Sequence, residues 1–325
     1  MIFQHSPKGQ KGCCMNAKKI VSWVGTFLML VSLGFIARRL ATYGIDFSLL
    51  TSPAVVAGLL AVAFAEGVVI FGASFNFRAL LKNVSGISVA KPVAVVVYLM
   101  SNLYKYIPGG IMYVAGRHRM AVETEGLRHS KVAFSTVAEG VITALGALVV
   151  ALTLAFEHSR SYVLQEFDFL PFVLLIAGIA LIVIVPPIYF FREKITKGFK
   201  KFWETVEIFK PAVLAKRFAW ALAMMFLWGA TFVITLVLLG QPMTDGLVTT
   251  IIGLYLLAWL AGFLTPGAPS GLGIREAVMM MFLSGLVYEN ILLAAMVIHR
   301  VITVVGDLAA YGLGLAYAQI IKEEL

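Results

Sequence analysis

Long apolar runs separated by short polar segments dominate the chain. Five of them reach the roughly 20 residues that a helix needs to cross a bilayer: 53–75, 132–156, 169–191, 218–240 and 291–321. A sixth run, 20–37, lies at the short end of that range. None of these runs shows the period-two alternation of a membrane β-strand. The pattern predicts an all-α, polytopic integral membrane protein with about six full spans.

Two further apolar runs, 92–107 and 246–265, end at clusters of proline and glycine instead of at charged loops. The clusters contain Pro108, Gly109 and Gly110 in the first half of the chain, and Pro266, Gly267, Gly271 and Gly273 in the second. Each cluster predicts a helix that is broken at membrane depth, where unwound backbone is tolerated only if protein or a water-filled cavity satisfies its hydrogen bonds. The alternative is that both clusters are ordinary kinks.

The basic residues predict the orientation. Of the 26 lysines and arginines, 20 fall in the two tails and in the segments 78–91, 117–131 and 192–217. Because short cytoplasmic loops carry the excess of basic residues, these segments and the N-terminus are predicted to be cytoplasmic in a multi-pass protein of the cell membrane. The chain between 91 and 117 then enters and leaves on the cytoplasmic side, and 246–286 enters and leaves on the outer side. We therefore expect two re-entrant, broken helices that open to opposite faces.

Two sequence matches connect the halves of the chain. Seven residues separate the Pro-Gly pair from an arginine in each half, at Arg117 and at Arg275. Further along, the eight residues 141–148 resemble 301–308. Both matches occur in the same order at nearly the same spacing. They predict two copies of a unit made of a span, a broken helix and a second span.

These copies set the predicted domain organisation. We expect one transmembrane domain, 1–325, with a tail and first span at 1–52 and the repeats at about 53–156 and 218–321. The residues between them, 157–217, form a linking span and a basic cytoplasmic segment. Because the charge pattern gives the copies opposite directions, they form an inverted repeat. Many secondary transporters have this arrangement, with their sites where the broken helices meet.

The composition excludes soluble function classes. Hydrophobic residues make up 60% of the chain and charged residues 13%, against about 45–50% and about 25% in soluble domains. The formal net charge of +9 would suggest nucleic acid as a partner of a soluble protein. Here the basic residues lie in short loops between apolar runs, so no nucleic-acid partner is expected.

An anion site is predicted where the helices break. A glycine-rich break leaves free N–H groups and a positive dipole end at the start of the next half-helix. Arg117 and Arg275, the latter followed by Glu276, would add planar cations suited to phosphate. The alternative is that both arginines are anchors that extend to the membrane surface. For Arg117, beside His118 and Arg119, the sequence supports the anion site and the anchor equally. For Arg275, the apolar flanking residues favour the anion site.

Ionisable residues at membrane depth are costly and are functional candidates by default. They are Glu66, Lys105, Glu139, His299, Arg300 and Asp307. Arg300 and Asp307, two helical turns apart, are expected to pair with neighbouring spans and to support or couple the site. Glu139 and His299 fall close to matching positions of the two copies, which favours either a shared cavity or a structural contact between helices. Glu66 is interpreted as forming a local hydrogen bond only.

Motifs for chemistry are missing from the sequence. It contains no Gly-x-x-x-x-Gly-Lys-Ser/Thr, His-Glu-x-x-His, Cys-x-x-Cys or Gly-x-Ser-x-Gly pattern. No catalytic residue, metal or cofactor is therefore predicted, and the chain is not expected to be an enzyme. Cys13 and Cys14 are adjacent and do not cross-link distant parts of the fold; they are acylated or have no special role.

The second-half motif resembles that of a known family. Residues 266–277, followed by an apolar helix and then His299-Arg300, resemble the Pro-Gly-Gly-x-Gly-x-Arg-Glu region of the lysylphosphatidylglycerol synthase transmembrane family, also called flippase-like proteins. Residues 107–117 are similar to its first-half motif. The chain departs from the family at 268–270, where Ala-Pro-Ser replaces residues that are usually glycine. No aminoacyltransferase domain is recognised in the chain, so lysyl transfer is not expected.

The resemblance implies translocation of an anionic, glycosylated or aminoacylated lipid between leaflets, linked to cell-envelope lipid or glycolipid synthesis. The partners would then be membrane lipids with anionic headgroups and a glycosyltransferase or lipid-modifying enzyme. Two alternatives stay open. One is a membrane-embedded lipid-phosphate transferase with Glu139 or His299 as its base. The other is a non-catalytic partner of a glycosyltransferase. The oligomeric state is not predicted.

Overall fold

The computed structural model describes seven stretches of the chain: 52–85, 91–106, 112–125, 129–165, 211–244, 246–265 and 269–323. The predicted spans 20–37 and 169–191, both cysteines and most of the basic segment 192–217 lie outside the described residues. So do five of the predicted site residues: Pro108, Gly109, Gly110, Pro266 and Gly267.

Helices make up nearly all of the described structure. They are α1 (Pro53–Ser85), α2 (Lys91–Asn102), α3 (Met112–Glu125), α4 (His129–Gln165), α5 (Pro211–Leu238), α6 (Leu247–Leu264), α7 (Ile274–Leu283) and α8 (Glu289–Glu323). Two short 3₁₀ turns, Leu103–Tyr106 and Pro269–Gly271, follow α2 and precede α7. The prediction of an all-α polytopic membrane protein is confirmed.

Five of these helices are long and apolar enough to cross a membrane: Pro53–Val84, His129–Ala155, Pro211–Leu238, Leu247–Leu264 and Glu289–Ile321. Four of them coincide with predicted full spans, and the fourth in chain order, Leu247–Leu264, was predicted as one limb of a re-entrant helix. Their outward faces are apolar. On α1, for example, Leu60 and Phe64 are 59% and 56% exposed. An exposed apolar stripe of this kind suits lipid as the surrounding solvent.

Hydrophobic clusters define two ends of the helix bundle. At the first end, the end of α1 meets the starts of α4 and α5, through Leu80, Val84, Phe134, Ala138, Val213 and Leu214. At the second end, the start of α1 meets the end of α5 and the first part of α8, through Val55, Leu59, Leu238, Ile298 and Ile302. Since α1 and α8 both start at the second end and α5 runs in the opposite direction, each end is fixed by several helices.

The two broken segments enter the bundle from opposite ends. The first hairpin, 91–125, follows α1 after five residues and precedes α4 by three, so both its limbs open to the first end. The second hairpin, 247–283, opens to the second end, because the Tyr288 N–H just before α8 donates to Gln241 Oε1 just after α5, at 3.0 Å. Opposed hairpins are what the basic residues predicted. The internal repeat, the number of full spans and the cytoplasmic end stay predictions.

Close packing of α1 against α8 depends on two glycines. A Cβ on Gly67 would lie 2.9 Å from the Gly306 carbonyl oxygen, and one on Gly306 would lie 3.0 Å from the Ala63 carbonyl oxygen. Small residues let membrane helices approach this closely. The contact places Glu66 of α1 beside α8, next to Asp307.

Candidate anion site between two hairpins

Asp307 of α8 holds the tip of the first hairpin. Its carboxylate accepts hydrogen bonds from Asn102 Nδ2 at 2.7 Å and from the Tyr106 hydroxyl, and it forms an ion pair with Lys105 Nζ at 2.7 Å. The Asp307 side chain is buried. Three donors from one 3₁₀ turn and the helix before it therefore converge on a single carboxylate.

Arg300 of α8 holds the tip of the second hairpin. Its Nε donates to Glu276 Oε1 at 2.5 Å, and one terminal nitrogen donates to the Ser270 carbonyl oxygen at 3.0 Å. Arg300 lies seven residues before Asp307, which puts both on one face of the helix. One face of α8 thus contacts both hairpins. As predicted, Arg300 and Asp307 each pair with a neighbouring segment.

The break before α7 requires glycine at two positions. Gly271 has a φ of 67°, and a Cβ there would lie 2.7 Å from the Gly262 Cα atom of α6. Gly273 has a φ of 86°, and its N–H donates to Glu276 Oε2 at 2.7 Å. The Glu276 carboxylate therefore caps the N-terminus of α7. Its negative charge offsets part of the positive helix dipole there. Ser270 also adopts a positive φ, 51°.

Arg275 is buried at the start of α7, with only 4% of the residue exposed. Its guanidinium lies over the Tyr255 ring of α6, 4.3 Å from the ring centroid. Within the part of the chain that the structure describes, no hydrogen bond or ion pair joins this guanidinium to another residue. The anchor interpretation requires an exposed head group and is wrong for Arg275 in this conformation.

A small cavity borders Arg275. Its walls include Phe232, Glu276, His299 and Arg300, and its volume is about 10 Å³. Such a space holds about one water molecule. A lipid headgroup does not fit, so the site is closed in this conformation.

Arg117 has a different environment, although it is equally buried at 1% exposure. One terminal nitrogen forms an ion pair with Glu139 Oε2 at 3.2 Å, and Nε donates to the Ser101 hydroxyl at 3.1 Å. The guanidinium lies 4.1 Å from the Tyr98 ring centroid and 4.9 Å from that of Phe77. It does not extend to either surface, so the anchor interpretation is wrong here too. A role in substrate binding stays a prediction.

The two arginines have similar stacking partners but different polar neighbours. Each stacks on a tyrosine of the preceding limb, Tyr98 or Tyr255. The Tyr98 hydroxyl donates to Glu139 at 3.1 Å, whereas the Tyr255 hydroxyl shares a hydrogen bond of 2.8 Å with His299 Nε2. A carboxylate next to Arg117 is thus replaced by an imidazole next to Arg275.

His299 is a buried connector between helices. Its second ring nitrogen shares a hydrogen bond of 3.1 Å with the Thr235 hydroxyl of α5. Both ring nitrogens are therefore engaged by hydroxyl groups, Tyr255 on α6 and Thr235 on α5. This geometry corresponds to the helix-to-helix hydrogen bonding that is common inside membrane bundles.

Glu66 is the buried group that the sequence did not assign to the site. The expectation of a purely local hydrogen bond is wrong, because the Trp228 indole N–H of α5 donates to Glu66 Oε1 at 2.5 Å. The other oxygen, Oε2, is buried and has no hydrogen-bond partner among the described residues. The available signal was a carboxylate in the middle of a 23-residue apolar run, 53–75.

The predicted site residues thus separate into two groups. The second tip brings together Gly271, Gly273, Arg275, Glu276, His299 and Arg300, and Asp307, on the same helix as Arg300, contacts the first tip. Arg117 and Glu139 form their own cluster with Tyr98. In the described ranges, no three histidine, cysteine or acidic side chains come together as a metal site would need.

The fold and site define a class of protein: a multi-pass helical membrane protein in which two opposed broken helices meet at buried ionic groups. The sequence model of the lysylphosphatidylglycerol synthase TM region matches residues 20–310. The chain belongs to this family. Comparison with curated proteins finds no match.

Proposed function

We propose that the protein translocates lipids with an anionic, phosphate-bearing headgroup between the leaflets of the membrane. The observation that carries the proposal is Arg275: a buried guanidinium at a helix break, without a fixed carboxylate partner in the described residues. An uncompensated cation inside a membrane protein is costly. A phosphate group would supply the missing charge and would match the planar donors of the guanidinium.

The charges around the second tip favour an anion. Arg300 and Glu276 form an ion pair, N–O 2.5 Å, and neutralise each other. The charge of Arg275 is not neutralised, so the cluster has a net positive charge. That charge attracts a headgroup carrying one negative charge. The acyl chains would stay in the bilayer, against the apolar outer face of the bundle.

Translocation requires the hairpins to move, because the cavity holds about one water molecule in this conformation. The hairpins open to opposite ends, so displacing one or the other would admit a headgroup from one leaflet or the other. Arg300 and Asp307 hold the tips with polar contacts that such a movement would break and remake. This is the alternating access expected for opposed broken helices.

Phospholipid vesicles containing the purified protein and a fluorescent phosphatidylglycerol would test the proposal. The measured quantity is the rate at which label leaves the inner leaflet, read by chemical quenching from outside. We expect Arg275→Ala to lower this rate by about tenfold or more, since a charge-assisted contact is lost. Lys216→Ala, which removes an exposed cation at the start of α5, is the matched control. Equal rates in all three proteins, or no movement of any anionic lipid, would contradict the proposal.

We further propose that the lipid serves cell-envelope or glycolipid synthesis. The chain would act in the cell membrane, with its N-terminus in the cytoplasm.

We also propose that the chain catalyses no reaction itself. A transferase would need a free base at Glu139 or His299. Glu139 is paired with Arg117, and both nitrogens of His299 are hydrogen-bonded. Lipid extracts containing a new covalent product would favour the transferase. Stable co-purification with a glycosyltransferase without lipid movement would favour a partner subunit.

A further inference from the structure

Glu66 is a carboxyl group buried in the middle of the bundle. The residue is fully buried on α1, thirteen positions after the helix begins at Pro53. Its neighbours come from two other helices: Gly306 of α8, whose added Cβ would lie 3.2 Å from the Glu66 Cβ, and Trp228 of α5. It therefore lies at the depth where the two hairpin tips meet α8.

The charged groups that face Glu66 do not pair with it. Lys105 and Asp307 lie within electrostatic range but form an ion pair with each other, N–O 2.7 Å. Arg275, also within range, is stacked on Tyr255. One carboxyl oxygen has an indole donor, and the other has no hydrogen-bond partner in the described stretches. An ionised carboxylate would leave that oxygen without compensation, at a large cost in free energy.

Packing does not require a carboxyl group at this position. The contact between α4 and α5 is also made at a glycine, Gly146, which corresponds in the sequence match to Gly306. There the neighbouring side chain is Ala221, 3.4 Å from an added Cβ. Gly146 of α4 thus packs against Ala221 of α5, whereas Gly306 of α8 packs against Glu66 of α1. The acid group has to be explained by something other than helix packing.

We propose that Glu66 is a proton-binding site that couples lipid movement to the proton gradient. In the closed conformation Glu66 is the neutral acid, which needs no counter-ion. When the hairpins part and water enters, the carboxyl O–H bond breaks and the proton passes to water, leaving the carboxylate. This inference rests on the proposed function, since the coupled ligand is the anionic headgroup at Arg275.

The coupling follows from a shared counter-ion. Ionised Glu66 attracts Arg275 and so competes with a headgroup for the same guanidinium, whereas protonated Glu66 leaves Arg275 free. Proton binding and anion binding therefore favour each other, and the linkage is reciprocal. A neutral pair, proton plus anionic headgroup, would move together. Acidification is expected to increase the affinity for phosphatidylglycerol, and the proton gradient would then drive lipid in the direction of proton flow.

Infrared spectroscopy tests protonation without reference to transport. At neutral pH the protein in lipid vesicles should show the C=O stretching band of a protonated carboxylic acid. Glu66→Gln should remove that band, and the matched variant Glu139→Gln should keep it, because Glu139 is ion-paired with Arg117. If Glu66→Gln does not fold, Trp228→Phe gives the same information, since loss of the indole donor should shift the band. A spectrum in which neither variant changes the acid band would overturn the inference, even if lipid transport were demonstrated.

A transport measurement tests the coupling. In vesicles with an imposed proton gradient, the wild-type rate for phosphatidylglycerol should rise by about tenfold in the direction of proton flow. Glu66→Gln should move lipid at a rate that no longer responds to the gradient. A wild-type rate that ignores the gradient would overturn the coupling while leaving the proposed function intact. A protein that shows the acid band but moves no lipid would instead overturn the proposed function.

Discussion

Arg300 and Asp307 lie two turns apart on one face of α8, and each holds a different hairpin. Asp307 binds Asn102, Lys105 and Tyr106 of the first hairpin, while Arg300 binds the second hairpin. The hairpins enter from opposite ends, so α8 is the one helix in the described residues with a charged contact to both tips. A movement of either hairpin changes the contacts of this helix.

Replacing Asp307 should loosen the first hairpin. Asp307→Asn leaves the half-buried Lys105 cation without its carboxylate, a change expected to cost about 3 kcal/mol of stability, the lower end of the range for a buried pair. Thermal unfolding in detergent measures this loss. The double variant Asp307→Asn/Lys105→Met removes both charges and should recover most of it. An unaltered unfolding temperature in the single variant would show that the contact does not hold the tip.

The buried pair of Arg117 and Glu139 should behave as a structural unit. Arg117→Met or Glu139→Gln alone leaves an unpaired buried charge and should cost about 3–5 kcal/mol, whereas the double variant should cost clearly less than the sum. A double-mutant cycle on the free energy of unfolding measures the coupling. Strictly additive losses would mean that the pair is not formed in the membrane.

Gly271 should tolerate no side chain. Gly271→Ala adds a Cβ 2.7 Å from the Gly262 Cα atom at a φ of 67°. Gly285→Ala is the matched control, because Gly285 has a φ of 89° and open space around its Cα atom. The control measures the cost of backbone strain alone, which is expected to be about 1–3 kcal/mol of stability. Gly271→Ala should lose clearly more stability than the control. Equal losses of thermal stability would show that the contact between the limbs of the second hairpin is not tight.

The contact between α3 and α4 should weaken in acid. His118 Nε2 lies 2.5 Å from His129 Nδ1, and burial together with His129 lowers the pKa of His118 below its ordinary value. Because the folded state favours the neutral ring, its contribution is complete above the unfolded value of about 6.5. That contribution is lost as the pH falls through the lowered pKa.

Hydrogen exchange of residues 112–131 measures this effect. Exchange should accelerate as the pH falls below about 6.5, after correction for the intrinsic pH dependence of exchange. His118→Asn should show no such transition. A transition that persists in His118→Asn would assign the pH dependence to another group.

Local sequence signals predicted the framework of the fold. The apolar runs gave the long helices, and the Pro-Gly clusters marked both breaks, because helix length and helix interruption depend on neighbouring residues. The basic residues gave opposed hairpins, since orientation follows from charge in short loops. Gly271 was selected correctly as a residue at the break, although its close neighbour Gly262 was not.

Long-range partners were harder to predict. Arg117 and Arg275 have the same spacing from their Pro-Gly pairs, yet only Arg117 has a carboxylate partner in the described residues. The partner of Glu66, Trp228, is 162 residues away, and nothing in the neighbouring residues of Glu66 points to it. Such pairs form only when helices from both halves pack together, so a pattern within one segment does not contain them.

Arg117 already has a carboxylate partner, Glu139, so the central claim is that the anionic headgroup binds at Arg275. Its most direct test is the affinity for phosphatidylglycerol of two variants: Arg275→Met, and Arg117→Met/Glu139→Gln, which removes the other buried arginine together with its partner. Native mass spectrometry of the purified protein titrated with phosphatidylglycerol measures both. We predict that Arg275→Met weakens binding by about tenfold or more, while the double variant stays within a factor of about two of the wild type. The claim is contradicted if Arg275→Met binds the lipid as tightly as the wild type.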